Sequence, residues 1–577
     1  MKTRFTFQTG RRAGSALILV MIMSTIALAI LASVMAWSTT SARLTHRSIQ
    51  YNRTVSAAEA ATEKVISQIS RDFLYGGEQL VAANLNNYRA NTVPTTSDSA
   101  YWRNWRFDDA NGNLGSTHVE RTPGTSYVVL NSTYAGLKAY VSTYTVVAHA
   151  ADTASSQAIK AGVLQELQLA GIPIFQFAMY SAGNMEISCG QPFNVTGRVH
   201  ANKTLYVEPD NLLTFESGVT AVLDILFQRD PLDPRGPPAG GVVYVNPDQK
   251  VSPVAALTLP IGTTNTPEAI REIIEPPPTG EDRTSPLGRL RYYNQCDLVV
   301  TVTDGGVTAT SGGFNNFATV ITNTELALFI ATSNSFYDAR EGKTVQAIDV
   351  DIGSLKTWAE TNTSLRPVLG LAKQNSIYVA DDRTPSATTL GAVRVVNGTL
   401  LPTNGLTVAT GRPLYVKGDF NAPVLGSTNT ATSRPASLVA DAITILSGNW
   451  SDANSTSALS SRTAVSTTVN AALLTGVVET TPRRYSGGME NFPRFLETWG
   501  LGNVFTYNGS MVKMFPSLYA TNVWNSGAYV PPKRNWAYDV NFDNPTRLPP
   551  KTPSLLKVLR TRWSTALPDQ NVATATP

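Results

Sequence analysis

The most constraining feature of this 577-residue chain is an apolar segment near its N-terminus. No charged residue occurs from Gly14 to Ala42, where the sequence is GSALILVMIMSTIALAILASVMAWSTTSA. About 20 apolar residues suffice to cross a bilayer as an α-helix. A buried core helix rarely stays uncharged over such a length, so the segment predicts a membrane-crossing helix.

A basic leader, MKTRFTFQTGRRAG, precedes this segment. A secretory signal has an apolar region of about 7–15 residues followed by a cleavage site, and the apolar run here is longer. A prepilin-type leader is instead cut before the apolar region. Arg11-Arg12-Ala13-Gly14 followed by Ser15 is similar to such a junction. We therefore predict leader cleavage between Gly14 and Ser15.

The helical pattern continues beyond the apolar segment. Neither Gly nor Pro occurs from Arg43 to Tyr75, and apolar or small residues recur there at helical spacing. At a rise of about 1.5 Å per residue, a helix over 15–75 would be about 90 Å long. Its first half suits lipid or the core of a helical filament, and its amphipathic second half suits packing against a folded head.

The runs GSALILVMIMSTIALAILASVMAW and SIQYNRTVSAAEAATEKVI resemble the N-terminus of the PilX-like minor pilins, over roughly residues 10–70. The resemblance implies a structural, non-enzymatic component of a type IV pilus or a pseudopilin of a type II secretion-like filament. The implied partners are other pilin-like subunits through the N-terminal helix, a prepilin peptidase and the bacterial inner membrane. The implied location is a single pass through that membrane with a periplasmic head, or a cell-surface filament.

One position departs from the pattern of major pilins. They carry a Glu at the fifth mature position, which pairs with a neighbouring N-terminus during assembly, and this chain has Leu19 there. Several PilX-like and tip-type minor pseudopilins also lack that Glu. Leu19 therefore favours a low-copy, tip or priming component over a major subunit.

The net charge of +4 originates in the leader. Without the four cations of the leader, 42 basic residues balance 42 acidic ones. Nucleic-acid binding calls for a basic face or stripe, so no nucleic-acid partner is predicted. The positive-inside rule favours a cytoplasmic N-terminus by a narrow margin, because Arg43, Arg47 and Arg53 follow the apolar segment.

Four regions are predicted: the leader (1–14), a long pilin-like transmembrane helix (15–75), a pilin-like antiparallel β region (76–170) and a large head (171–577). In the third, KAYVSTYTVVAHA alternates between faces, as a half-buried antiparallel strand does. In the fourth, short apolar runs are separated by Gly, Asn, Asp and Pro, which is typical of short strands. The predicted fold class is α+β, mainly β.

Short strands of this kind build either a right-handed β-solenoid (a β-helix) or an irregular β-sandwich. We favour the β-solenoid, because FNVTGRVHANKTLYV and NGLTVATGRPLYVKGDF are similar to successive rungs, although no fixed repeat length is visible. GRVHANKTLYV and the late segment YSGGMENFPRFLETW also resemble parts of large PilX-like proteins.

Two short helices are predicted in the head, at 267–274 and at 491–500. In the second, Pro493 suits the first turn and Gly500 suits the end. Its large apolar residues would share one helical face: Phe492, Phe495, Leu496 and Trp499.

Cys189 and Cys296 are the only cysteines. In an exported chain an even pair predicts one disulfide. It would close a loop of about 106 residues and stabilise the chain by roughly 4–5 kcal/mol in the chain-entropy model. The alternative is two unpaired, buried thiols in separate strands.

No catalytic constellation is recognisable in the sequence. The four histidines are scattered, and no GxSxG, HExxH, Walker A or helix-opening GxGxxG motif occurs. Asp109, Asn111 and Asn113 are spaced as in a calcium loop, but Leu114 stands where an EF-hand requires glycine, so a hairpin turn is predicted. We expect no catalytic, cofactor-binding or metal-binding residues and no cofactor.

The alternative function is a membrane-anchored β-solenoid that binds or cleaves polysaccharide. Such sites need clustered carboxylates. Asp224, Asp230 and Asp233 lie close in sequence, and Asp349 and Asp351 fall on one strand face. A cell-surface polysaccharide would then be the partner of the head. A third hypothesis is a secretion-machine tip protein, whose head would contact a secreted cargo.

Overall fold

The structure is a computed structural model that describes residues 15–566 except 110, 132, 133, 135, 156, 157, 312–320, 362–375, 501, 525 and 526. A long N-terminal helix is followed by a large β-rich region with several sheets. This confirms the α+β, mainly β class. Gly14 lies outside the described residues, and Ser15 begins the long helix.

Apart from the long N-terminal helix, most helices are short and lie between strands. The α-helices are Ser15–Ala83, Leu85–Asn91, Pro267–Arg271, Pro286–Leu290, Tyr292–Gln295, Asn323–Leu326 and Ile352–Thr361. The 3-10 helices are Ala100–Asn104, Ile174–Gln176, Pro247–Gln249, Glu272–Ile274, Asp452–Asn454, Leu459–Ser461, Met489–Asn491, Val540–Asp543 and Pro545–Arg547.

The long helix extends past its predicted end. It changes direction at Gly77, where φ is +71°, and then continues to Ala83, so the region assigned to antiparallel strands from residue 76 begins with helix. A second helix, Leu85–Asn91, folds back against the first because Tyr88 is buried and donates a hydrogen bond to Asp72 (2.6 Å).

An antiparallel sheet packs beside the second half of the long helix. Its strands are Trp105–Asp108, His118–Arg121, Ser126–Val129, Lys138–Asp152, Lys160–Pro173 and Ser554–Ala566. The last strand comes from the range that the sequence assigned to the head. Because Pro173 pairs with Ser554, residues 174–553 form an insertion between two neighbouring strands of this sheet.

The inserted head begins with short parallel strands stacked at an offset of 20 residues. Met185 pairs with Leu205, which pairs with Ile225, and Phe193 pairs with Leu213. The strands of this first stack are Met179–Ser181, Met185–Ile187, Phe193–Val195, Val199–Ala201, Leu205–Val207, Leu213–Phe215, Val219–Ala221, Ile225–Leu226, Val242–Tyr244 and Lys250–Val251. The offset was missed from sequence because each strand has only two or three residues and a Pro-rich loop breaks the period after two turns.

Two larger sheets continue the head. The long sheet joins the first stack through Met179–Ser181 and adds Leu298–Thr303, Gly306–Ser311, Ser376–Asp381, Leu406–Ala409, Ala436–Ala440, Thr467–Val477, Val504–Pro516 and Lys533–Tyr538. The facing sheet consists of Ile330–Asp338, Lys343–Asp351, Thr389–Val396, Leu414–Lys417, Ile443–Leu446 and Pro493–Phe495. Both are parallel apart from one hairpin each.

Both faces of the long sheet are covered. Val300 and Val379 point into the core that it shares with the facing sheet, whereas Val299 and Tyr378 point into a second core. Strands buried on both faces are apolar throughout rather than alternating, which explains runs such as LVVTV and SIYVA.

One predicted short helix is confirmed and the other is wrong. Residues 267–274 form a short α-helix followed by a 3-10 helix, and the Thr266 hydroxyl caps the α-helix. Residues 491–500 instead contain the strand Pro493–Phe495. The extended conformation lets Phe495 pair with Ile445 while Arg494 reaches the buried carboxylate of Glu341.

A buried histidine links the first stack to the loop that follows it. His200 lies 2.8 Å from the Thr220 hydroxyl and 2.9 Å from the side-chain oxygen of Asn202. Asn202 exchanges two hydrogen bonds with the backbone of Leu257. Burial lowers the pKa of His200 to about 4, so the ring is neutral.

The stability of the protein should therefore fall between pH 6.5 and pH 4. In this window the unfolded chain, in which histidine has a pKa of 6.5, takes up a proton that folded His200 does not. His200→Gln should lack this loss, which amounts to about 3 kcal/mol between pH 7 and pH 4, as measured by urea unfolding. His46→Gln, on the exposed part of the long helix, is the control and should behave as wild type. Parallel pH curves for wild type and His200→Gln would contradict the expectation.

The two cysteines are free. Cys189 lies in the core between the large sheets and Cys296 in the second core. The structure therefore has the two buried thiols rather than the disulfide. Burial raises the pKa of Cys189 to about 12 and that of Cys296 above its ordinary value.

Neither thiol should react with an aromatic disulfide reagent while the protein is folded, because both are buried and protonated at neutral pH. Both should react after denaturation, giving two thiols per chain by absorbance. A cross-linked peptide containing Cys189 and Cys296 in a non-reducing digest would contradict this.

Candidate functional site

The first half of the long helix is exposed on every side. We call its uncharged part, Ser15–Ala42, the apolar rod; the residues up to Ile49 are also exposed, and Gln50 is the first buried residue of the helix. The large exposed apolar side chains of the rod include Leu17, Ile18, Leu19, Val20, Met21, Ile22, Met23, Ile26, Leu28, Ile30, Leu31, Val34, Met35 and Trp37. A helix that is apolar all round belongs in a protein core or a membrane, so this surface requires a cover outside the folded head.

The length of the rod matches a bilayer. At about 1.5 Å per residue, Ser15–Ala42 spans about 42 Å, and a bilayer with its headgroups is about 40–45 Å thick. The most apolar 18-residue stretch of the helix has a mean hydropathy of 2.7, and none of this stretch is buried. The helix is thus long and apolar enough to cross a membrane, a test that a signal sequence near an N-terminus also passes.

Polar residues begin where the bilayer would end. Trp37 is 72% exposed, and Trp is enriched at membrane–water interfaces. The first charged side chains beyond it, Arg43 and Arg47, are also exposed. This order of residues suits a rod that leaves the lipid shortly before Arg43.

The second half of the helix is packed on the antiparallel sheet through small side chains. Ala57, Ala58 and Ala61 are almost fully buried against Ala148 and Ala150. Alanine brings the helix backbone close to the strands, which explains the Ala-rich segment of the sequence. Farther along, the apolar contact widens to larger side chains: Val65, Ile66, Ile69 and Phe73.

Polar contacts fix the helix on the sheet. Gln165 donates to the Thr62 hydroxyl and to Glu63, both at 2.9 Å. Arg560, on the last strand, forms two hydrogen bonds with Glu63 at 2.5 and 2.8 Å. Partial burial raises the pKa of Glu63, but the hydrogen bonds from Arg560 and Gln165 outweigh it and leave the pKa below its ordinary value. Glu63 therefore stays charged and joins the C-terminal strand to the helix.

Two further contacts brace the helix. Gln50 donates to Asp152 at 3.0 Å, at the end of the sheet nearest the rod. Lys64 binds Asp98 at 2.7 Å, and this contact lowers the pKa of Asp98. None of these partners was identified from sequence, since each is far along the chain from the helix residue that it binds.

The residues proposed from sequence fall in three places. Ser15 and Leu19 lie on the rod, where Leu19 is 62% exposed. Gly14 lies outside the described residues. The two cysteines lie inside the head and take no part in the rod or its packing.

The carboxylates considered for polysaccharide chemistry have structural partners. Asp233 binds Arg235 at 2.6 Å, and Asp349 binds Arg394 at 2.7 Å. The Asp351 carboxylate accepts from the Ser354 backbone at the start of a helix. Asp230 and Asp233 lie near the carboxylate of Glu186.

The loop in which Asp109, Asn111 and Asn113 have the spacing of a calcium loop is a turn. Asp109 accepts hydrogen bonds from the backbone N–H groups of Asn111 and Asn113, and Gly112 has φ +82°. Among residues 15–566, outside the gaps given above, no group of three or more His, Cys, Asp or Glu side chains is arranged to hold a metal ion.

Comparison with known proteins gives little guidance. No protein-family model and no curated protein matches the chain. Among solved structures it is similar to the crystal structure of the competence-associated pilin ComZ from Thermus thermophilus, at 9% sequence identity. The likeness covers 90% of this chain and 98% of that chain with a TM-score of 0.28. At that TM-score it establishes no common fold.

Replacing Ala58 by Leu should weaken the packing of the helix on the sheet. The added methyl groups have no space between the helix and the strand bearing Ala148, so the free energy of unfolding should fall by about 1–3 kcal/mol. Urea unfolding of the full chain in detergent measures the change. The matched control is Ala60→Leu, on a half-buried position of the same helical turn, which should cost clearly less. Equal losses for the two variants would contradict the close helix–sheet packing.

Proposed function

We propose that this chain is a structural, membrane-inserted minor pilin or pseudopilin of the PilX-like type. The observation that carries the proposal is one continuous helix whose first half is apolar on all sides and whose second half is packed on a sheet. The first half inserts into the inner membrane or into the helical core of a filament. The second half holds the head at a fixed distance from it.

The same rod serves both locations. In lipid its side chains are covered by acyl chains, and in a filament they are covered by the rods of other pilin-like subunits. The leader cations favour a cytoplasmic N-terminus, which places the head on the periplasmic side. A prepilin peptidase would remove the leader at the membrane.

Leu19 supports a minor role. The resemblance implies that major subunits use a charged Glu here to bind the N-terminus of a neighbour. Leu19 has no group that could form this ion pair, and it is exposed on the rod. The chain would therefore join a filament at low copy number, at its tip or at its initiation.

The inserted head is the part that would be displayed. The 20-residue offset of the first stack and the parallel ladders of the two large sheets support a β-solenoid. Because the head enters and leaves through neighbouring strands of the antiparallel sheet, it is held at both ends. Such a head suits contact with a cell-surface polysaccharide or a secreted cargo.

Gly14→Val should block removal of the leader. A prepilin-type peptidase cuts after this glycine, so wild-type protein should begin at Ser15 and the variant should retain Met1 or the residue after it. Intact-mass measurement of protein purified from the membrane fraction of a host with a prepilin peptidase distinguishes the two.

Gly10→Val is the matched control, since it changes another leader glycine away from the junction, and it should still be processed. Wild-type protein that begins after the apolar segment would show a secretory signal instead. Retention of the leader in wild type would equally contradict the pilin-type function.

A further inference from the structure

A small cleft lies in the head where the first stack meets the two larger sheets. Its walls come from three directions. Glu186 belongs to the first stack, Arg340 and Arg494 belong to the facing sheet and its hairpin, and Lys513 belongs to the long sheet. The volume available inside the cleft is about 30 Å³. A water molecule needs about 10–15 Å³ by this kind of measure, so the cleft admits two or three waters or one small group.

Arg340 is the unusual residue of this cleft. It is 5% exposed, its Nε donates to the carbonyl oxygen of Asn522 at 3.2 Å, and its Nη1 is buried without a hydrogen-bond partner. No carboxylate of the described residues forms an ion pair with it. Burial, and then the nearby charge of Arg494, lower the pKa of Arg340 to about 9, so the guanidinium remains charged at neutral pH.

Three other buried arginines of the head have carboxylate partners, whereas Arg462, like Arg340, donates to a backbone carbonyl and has no ion pair within the described residues. Arg394 binds Asp349, and Arg494 binds Glu341 and donates to the Ala520 carbonyl at 2.9 Å. A buried cation without a counter-charge is costly, and the cost falls when an anion is bound beside it. Unlike Arg462, Arg340 lines a cleft that has room for a small group.

Two more donors face the cleft. Lys513 donates to the Asn184 carbonyl at 3.1 Å and lies 3.4 Å from Glu479, whose side chain is largely exposed. Asn491 also lines the cleft. Lysine retains further N–H groups beyond the one that binds Asn184, so a second cation is available beside Arg340.

Two carboxylates oppose this positive charge: Glu479, and Glu186, whose charge also interacts with that of Lys513. Glu186 lies on the wall of the cleft, where its Oε2 accepts from the Thr480 hydroxyl at 2.7 Å and the Ser486 hydroxyl at 3.4 Å. Burial raises the pKa of Glu186. The Oε2 atom of Glu186 is thus bound to hydroxyls rather than to Arg340.

We propose that this cleft binds an oxyanion group, a carboxylate or a tetrahedral phosphate or sulfate, through Arg340 and Lys513. The guanidinium fork matches the oxygen spacing of these groups, and the volume limits the ligand to a single small anion or to one charged group of a larger molecule. An acidic glycan could present such a group. The proposal does not depend on insertion of the apolar rod.

The test is anion-dependent stability of the full chain purified in detergent. The thermal midpoint is measured at pH 7 in sodium phosphate, sodium acetate and sodium chloride at equal ionic strength. A ligand that binds only the folded state stabilises it in a saturable way, whereas the general salting effect of phosphate does not saturate. We expect a saturable rise in phosphate or acetate over chloride, and the more effective salt identifies the tetrahedral or the carboxylate class.

Arg340→Gln should weaken this binding by about thirtyfold or more, leaving only the unsaturable effect. Arg412→Gln is the matched control, because it removes a half-buried guanidinium that lines a different cleft, and it should respond as wild type. If Arg340→Gln does not fold, Lys513→Gln replaces it, with a smaller loss expected.

A direct readout comes from crystals grown with selenate. An anomalous peak within hydrogen-bond distance of an Nη atom of Arg340 would support the site. Identical phosphate and acetate responses in wild type and Arg340→Gln, or the absence of any saturable response together with no anomalous peak, would overturn the proposal.

Discussion

The packing of one helix face against the antiparallel sheet is the interaction on which the rest of the molecule depends. The rod is exposed along its whole length. Its direction relative to the head is set by the second half of the helix. There Ala57, Ala58 and Ala61 allow close approach to the sheet, and Glu63 binds Arg560 on the final strand. The position of the head relative to the rod is set at this contact.

The return of the C-terminal strand has a mechanical consequence. The head is inserted between the strands ending at Pro173 and beginning at Ser554, which are neighbours in one sheet. A pull on the head is therefore transmitted through two paired antiparallel strands to the helix rather than through a single linker. Core residues such as Ile172 and Leu555 pack with the long sheet of the head, so the junction is also buried. This construction suits a displayed head that bears load.

The features predictable from sequence are those with a strong local period. The uncharged rod and the long strand Lys138–Asp152 are of this kind, because many consecutive residues share one pattern. The packing contacts are not, since Glu63 and Arg560 are 497 residues apart. The helix predicted at 491–500 failed for a different reason: its apolar residues match a helical face, but strand pairing and the Arg494–Glu341 contact decide the local conformation. Tertiary contacts of this kind override a short local pattern.

Among the described residues of the head, three buried arginines are bound to a carboxylate, whereas buried Arg340 and Arg462 donate to backbone carbonyls instead. Arg291, Arg394 and Arg494 are each bound to a carboxylate, and such pairs fix the register of neighbouring segments more than they add stability. Arg340 fixes no such register, since its one side-chain hydrogen bond is to a backbone carbonyl. An apolar side chain of similar volume would fill the same space without the cost of an unpaired charge. The presence of a guanidinium there is accounted for when the missing counter-charge is supplied from outside the chain.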